Sequence, residues 1–374
     1  MRLLLLLALF LPLPFSASAA DTGPIKIGQY GAFSGKEAAF GVAARKGVIL
    51  AFDEANAAGG LLGRKLELIT EDNQSKAGES ATIAKKFVSR DKVVAVLGGN
   101  PSINSLEAAP IFQNAKLPMV AISSTNPRVT EMGPYIFRVC FIDPFQGAVL
   151  AKFAKDTLHA KRAAILTSVN NPYSVGLAKV FREKFTAAGG EVVIEQKHSE
   201  GDKDFRAQLT AIKSAKPDVI FHSSNYTEGA LICMQARQLG FTGPLFGGDA
   251  WEAPQLIEIG GKAVEGTYYS THASPESTAP EMQNFIKKFH GRWAGENPDS
   301  IAALGYDAAQ LLFDAIRRAG TTDSAPLRDA IATTSGFSGA TGKITIDKDR
   351  NATKSAVIIT VKDGKFAYVE TVDP

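Results

Sequence analysis

"AFDEANAAGG" (Ala51–Gly60) and "REKFTAAGG" (Arg182–Gly190) end two segments of helical character on the same four residues, Ala-Ala-Gly-Gly. Glycine suits the left-handed position that closes a helix. Behind each match the same elements follow in the same order. A strand-like run comes first ("KLELITE", "EVVIEQK"), then a helical run ("ESATIAKKFV", "DFRAQLTAIK"), then a second strand ("KVVAVLGG", "PDVIFHSS"). One four-residue match is weak, but a match with an ordered echo behind it reads as a duplicated lobe.

Working outward, apolar strand runs alternate with helical periodicity from Ile25 onward, which predicts parallel sheets covered by helices on both faces. In "RAAILTS" followed by "GLAKVFREKF", Leu177, Val180, Phe181 and Phe185 recur at i, i+3, i+4 and i+8. The fold class is α/β, with two doubly wound Rossmann-like lobes. Such sheets bind ligands in the crevice beyond the carboxyl ends of their strands. Loops that correspond in the two lobes should therefore meet: "GAFSGKEAAFG" (Gly31–Gly41) with "VNNPYSVG" (Val169–Gly176), and "NPSINS" (Asn100–Ser105) with "NYTEGA" (Asn225–Ala230). The last third does not repeat. "EMQNFIKKFHGRWAG" and "SIAALGYDAAQLLFDAIRRAG" read as helices, and "KSAVIITVKDGKFAYVETV" as a hairpin turning at Asp363-Gly364.

The 374 residues exceed one ordinary lobe and can bury a large core. "MRLLLLLALFLPLPFSASAA" has one basic residue, a leucine-rich run and an A-x-A ending at Ala19, so residues 1–19 read as a secretory leader and the mature chain as exported. The formal charge of +3 carries no basic run, which argues against nucleic acid or an anionic membrane as partner. Cys140 and Cys233, a lone distant pair, read as free buried thiols.

Several chemistries are unsupported. The glycine-rich stretch at Gly31–Gly41 sits where a phosphate loop would, but Gly35-Lys36 is followed by Glu37 and position 30 is Tyr, so the motif fails at both ends. The five histidines are scattered and no zinc spacing occurs, so no metal or cofactor is expected. No G-x-S-x-G elbow appears; a hydrolase with a triad assembled from distant residues is the least favoured reading.

What is present suits binding. Ser102 opens the helical stretch after a strand, where free backbone N–H groups favour a carboxylate; position alone favours a serine that caps its own helix, and the two roles are compatible. "AISSTNP" offers Ser123 and Thr125 beside it as hydroxyl contacts. "FGGDAWEAP" places Asp249 and Trp251 after a fifth strand of the second lobe; Asp249 either pairs with an ammonium group or caps the helix that follows. Phe40, Tyr173 and Tyr226 are aromatics in the expected crevice loops. Together they describe a pocket for a small amino acid with an apolar side chain.

At these residues the chain resembles the type I periplasmic solute-binding proteins of the leucine/isoleucine/valine-binding family, which serve ABC importers. The likeness is carried by "IKIGQYGAFSG", "FDEANAAGGLLGRKLELITEDNQS", "GPYIFRVCFID", "GGDAWEAP", "GGKAVEGTYYS" and "ALGYDAAQLLFDAIRRAG". The resemblance implies lobe I over 24–141 plus 271–345 and lobe II over 142–270 plus 346–374. Three crossovers are implied near Phe137–Asp143, Gly266–His272 and Lys343–Lys348. It puts the ligand carboxylate at Ser102 and Thr125 with help near Ser123, the ammonium at Asp249, and Phe40 and Tyr173 beside the side chain. The match at Tyr226 allows its neighbour Asn225 instead. Branched-chain binders of this kind carry Glu at the position of Asp249 and Tyr at that of Phe40, and differ in the loop before Ser102. The implied function is a periplasmic, monomeric binding component of an ABC importer, closing on its ligand and docking on an inner-membrane permease. Its ligand is an apolar amino acid or, as the alternative, an aromatic or aliphatic carboxylate or amide lacking an α-amine.

Overall fold

A computed structural model describes residues 23–374; the leader expected over 1–19 lies outside them. The first lobe is built on a parallel sheet of β1 (Ile25–Gly31), β2 (Leu66–Asp72), β3 (Ala95–Gly98), β4 (Met119–Ala121) and β5 (Ile136–Arg138), in the order β2-β1-β3-β4-β5. The helices between them are α1 (Ala38–Ala57), α2 (Glu79–Lys86), α3 (Ser102–Asn114) and α4 (Arg128–Glu131). The central strand β3 is buried at every residue, as expected for a strand covered on both faces.

The second sheet repeats this plan. α5 (Asp143–Asp156) leads to β6 (Arg162–Ser168), α6 (Pro172–Ala187), β7 (Glu191–His198), α7 (Arg206–Ser214), β8 (Val219–His222), α8 (Tyr226–Gln238), β9 (Leu245–Gly247), α9 (Pro254–Gly260) and β10 (Tyr268–Thr271). "FGGDAWEAP" thus follows the fourth strand of this lobe and not the fifth, because a single helix separates β8 from β9. α10 (Pro280–Arg292), α11 (Ser300–Ala319) and α12 (Ser324–Ala332) follow, then β11 (Phe337–Gly339), β12 (Gly342–Ile346) and β13 (Ala352–Thr353), then the hairpin β14 (Ala356–Lys362) and β15 (Lys365–Val372). α11 packs along α1 of the first lobe, and the hairpin joins the second sheet, whose order is β15-β14-β10-β9-β8-β6-β7.

The sequence echo is a pair of helix caps. Gly59 (φ +100°) and Gly189 (φ +76°) take the left-handed turn, and the next glycine N–H reaches back to the helix, Gly60 to the Ala55 carbonyl at 2.8 Å and Gly190 to that of Phe185 at 2.9 Å.

The chain passes between the lobes after β5, after β10, and between β12 and β14. The third passage lies later than Lys343–Lys348. Gly342–Ile346 is held by pairing with β11 and β13 in a small antiparallel sheet, and the chain is released only beyond Thr353.

Two glycines set how α11 meets α1. A Cβ on Gly47 would lie 1.9 Å from the Ala302 carbonyl oxygen, and one on Gly305 would lie 2.2 Å from that of Ala44. The helix backbones therefore touch, and this contact brings Ile301, in the first turn of α11, to the mouth of the first sheet.

Candidate functional site

The carboxyl ends of the two sheets face each other across a cavity of about 310 Å³ of atom-free space, lined by Phe40, Pro101, Ser102, Ser123, Thr125, Tyr173, Asp249, Ala250 and Ile301. Six of the nine residues predicted from sequence stand together here: Phe40, Ser102, Ser123, Thr125, Tyr173 and Asp249.

One wall is made of donors. Ser102 opens α3, and no side chain caps that helix. The Ser102 hydroxyl instead accepts from the Asn126 N–H at 3.2 Å, so its expected alternative, capping, is not its role. The Thr125 hydroxyl is fully buried beside the Asp143 carboxyl, with which it interacts, and has no other partner among the described residues. The loop carrying these groups is clamped from behind. Arg138, fully buried, donates to the Ser124 carbonyl, to that of Asn126 at 2.9 Å and to that of Pro127 at 3.3 Å. Ser124 donates to the Gly99 carbonyl at 2.5 Å. Gly99 has to be glycine: its φ is +89°, and a Cβ would fall 1.7 Å from the Ser105 oxygen.

The opposite wall carries the acid. Asp249 accepts from the Gln146 amide at 2.7 Å on Oδ1 and is met by His272 Nε2 at 3.1 Å on Oδ2. α9 starts after Ala253 with no side-chain cap, so Asp249 is not its cap. Burial holds the His272 ring below its ordinary pKa, the Asp249 charge opposing and Lys354 assisting. Burial likewise raises the Tyr173 phenol well above its usual range, with the charges of Asp249 and Asp143 adding to the effect, so it stays protonated. Asp143 stands behind Thr125 at the start of α5, fully buried; burial, with the nearby Asp249, pushes its carboxyl up to about 8.

The other three predicted residues lie elsewhere. Trp251 is a core residue, its ring 4.5 Å from that of His222. It sits in a tight three-residue turn with Asp249, and in a helix of three residues per turn positions i and i+2 point to different sides. Asn225 turns to the rim and donates to Glu200 at 3.0 Å. Tyr226 closes the rim: its hydroxyl donates to the Lys36 carbonyl at 2.7 Å and its ring meets Phe40. Lys36 also pairs with Glu200 at 3.1 Å, and Asn126 donates to the Pro172 carbonyl at 2.9 Å, so both ends of the cleft are bridged. Glu37 is buried at this seam. Burial, then Glu200, raises its carboxyl to about 7, and Glu228 adds to the shift.

Sequence reading missed Pro101, Ala250 and Ile301 in the walls, and Arg138, Asp143, Gln146 and His272 behind them. Asp143, Gln146 and His272 sit on or beside the passages between lobes; the crossover stretches were named from sequence, but nothing in them marks these side chains as supports of the cavity.

A family model described as periplasmic binding protein matches residues 24–365. The chain is 41% identical to a leucine binding protein LivK from Thermotoga maritima, with a TM-score of 0.90 over 94% of this chain and 99% of that one. It is 32% identical to the branched-chain amino acid transporter substrate binding protein LivJ from Streptococcus pneumoniae in complex with isoleucine, with a TM-score of 0.89 over 94% of this chain and 100% of that one. A Leu/Ile/Val-binding protein homolog 2 of Brucella abortus is 30% identical over 92% of this chain and 93% of its own length.

Proposed function

The chain belongs to the periplasmic binding protein family, and we propose that within it this protein is the solute-binding component of an ABC importer, taking a branched-chain or other apolar amino acid into the cleft between its lobes. The observation that carries the reading is the charge pattern across one narrow cavity. Buried hydroxyls and helix N–H donors stand on one wall, and on the other stands a buried carboxylate, Asp249, met by Gln146, by the Tyr173 hydroxyl and by a His272 held below its usual pKa. A zwitterion complements both walls, its carboxylate on Ser102, Ser123 and Thr125 and its ammonium on Asp249. Phe40, Tyr173 and Ile301 then border the side chain.

In this reading the protein works as an exported, periplasmic monomer. Ligand held first by one lobe adds contacts to the other, and the closed form is populated in proportion to that differential affinity. Each charge-assisted hydrogen bond contributes about 1.5–3 kcal/mol, enough for a few to offset the ordering of the cleft. The closed form is the one presented to a membrane permease.

The test is titration calorimetry of purified protein with leucine, isoleucine, valine and phenylalanine against benzoate and 4-methylpentanoate. Tight binding of one amino acid and weak binding of the amine-free acids is expected. The reverse order would hand the site to an aromatic or aliphatic carboxylate.

A further inference from the structure

We propose that His272 is a specificity-determining positioning residue: as a neutral donor it orients Asp249 while leaving that carboxylate its whole charge for a cationic group on the ligand. The inference rests on the amino-acid reading above. It starts from what surrounds Asp249. Gln146 Nε2 donates to Oδ1 at 2.7 Å and His272 Nε2 to Oδ2 at 3.1 Å, and the Tyr173 hydroxyl also meets the carboxylate. Among the described residues, no lysine or arginine forms an ion pair with Asp249. Gln146 is itself fixed by donating to Ser270 at 3.0 Å. The acid is thus oriented on two sides by groups that carry no charge.

The imidazole is built to remain so. Its side chain is fully buried, its ring lies 4.0 Å from that of Phe141, and Nδ1 has no partner among the described residues. Nε2 must then carry the hydrogen that goes to Asp249, and Nδ1 would have to be the site of any second proton. Other titratable groups near this cluster are Lys354, which disfavours that proton, and Asp143, whose carboxyl is raised by burial and by the Asp249 charge; Cys140 and the Tyr173 phenol are the remaining ones, both pushed upward by burial. Burial outweighs the attraction of Asp249 and keeps the ring below its ordinary pKa.

The consequence is chemical selection. A protonated ring, or a lysine in its place, would form an ion pair with Asp249 and cancel the charge that a ligand ammonium needs. The cavity would then lose its demand for an amine while keeping its carboxylate wall. A neutral ring gives the opposite: an uncompensated buried carboxylate, unfavourable alone and satisfied by an ammonium.

The readout is a ratio, the Kd of 4-methylpentanoate over that of leucine, measured by calorimetry at pH 7.5. Wild type is expected to show a ratio above a hundred. His272→Gln, which retains a donor and cannot become charged, should stay within threefold of wild type, whereas His272→Leu, which removes the donor, should lower the ratio at least fivefold and His272→Lys should bring it below ten. A large wild-type ratio that His272→Leu leaves unchanged would overturn the role of His272 and leave the amino-acid reading standing. A wild-type ratio near one would overturn both. Because His272→Lys buries a charge and can fail to fold, the comparison of His272→Gln with His272→Leu decides by itself.

Discussion

Phe40 and Tyr226 stand edge to face, their ring centroids 5.1 Å apart and their planes at 76°, one from each lobe. The same tyrosine reaches past that ring to donate to the Lys36 carbonyl at 2.7 Å. These are contacts that an open cleft would not have, so their energy belongs to closure. Tyr226→Phe keeps the ring and removes one hydrogen bond worth about 0.5–1.5 kcal/mol. Ligand affinity should fall roughly twofold to tenfold, with a larger radius of gyration at subsaturating ligand by small-angle scattering. Unchanged affinity and radius would remove the rim from the closing mechanism.

Asp249→Asn should weaken leucine by about 1.5–3 kcal/mol, roughly tenfold to a hundredfold or more. The amine-free analogue should be nearly unaffected or gain. Calorimetry with both ligands separates this from a general loss of the pocket, which would weaken the two equally.

Glu37 gives a pH dependence of definite sign. Its carboxyl is raised from 4.5 to about 7 in the closed protein, so the folded, closed state holds a proton that the unfolded chain releases above about 4.5. With more protons bound in the native state, stability falls as pH rises through this window, and the deficit is complete above about 7. An open cleft, by separating Glu37 from Glu200, should behave partly like the unfolded chain, so affinity should improve as pH falls from 8 towards 6. Glu37→Gln should flatten both the melting-temperature and the affinity profiles. Profiles that keep their slope in the variant would assign the effect elsewhere.

Cys140 and Cys233 are both fully buried and unpaired, and burial raises each thiol to about 12. Reaction requires a thiolate and access. A chromogenic disulfide reagent should find no reactive thiol in the native protein and two in denaturant. Prompt labelling of the native protein would contradict this burial.

Local pattern carried much of the fold. The Ala-Ala-Gly-Gly pair marked two helix ends that the left-handed glycines do close, and Asp363-Gly364 marked the hairpin. The third passage between lobes was misplaced because "KITI" is a strand by composition, and only its pairing with β11 and β13 reveals which sheet keeps it. In the cavity, polar residues at strand ends were readable, since each sits where a loop must deliver it. Trp251 was misread because an aromatic two positions from an acid looks adjacent to it, whereas the turn sends them apart. Arg138, Gln146 and His272 act through backbone carbonyls or through Asp249, and such support has no spacing of its own. Ile301 reaches the cavity by the packing of α11 on α1, which no local pattern encodes.

That packing has a consequence for how such a protein can change its diet. Ile301 is one jaw of the chamber, and its reach is set by Gly47 and Gly305, neither of which lines the cavity. Exchanging either glycine for a residue with a side chain would push α11 outward and widen the chamber with no wall residue altered. In the proposed reading, selectivity for solute size would rest partly on a pair of hydrogen atoms outside the cavity.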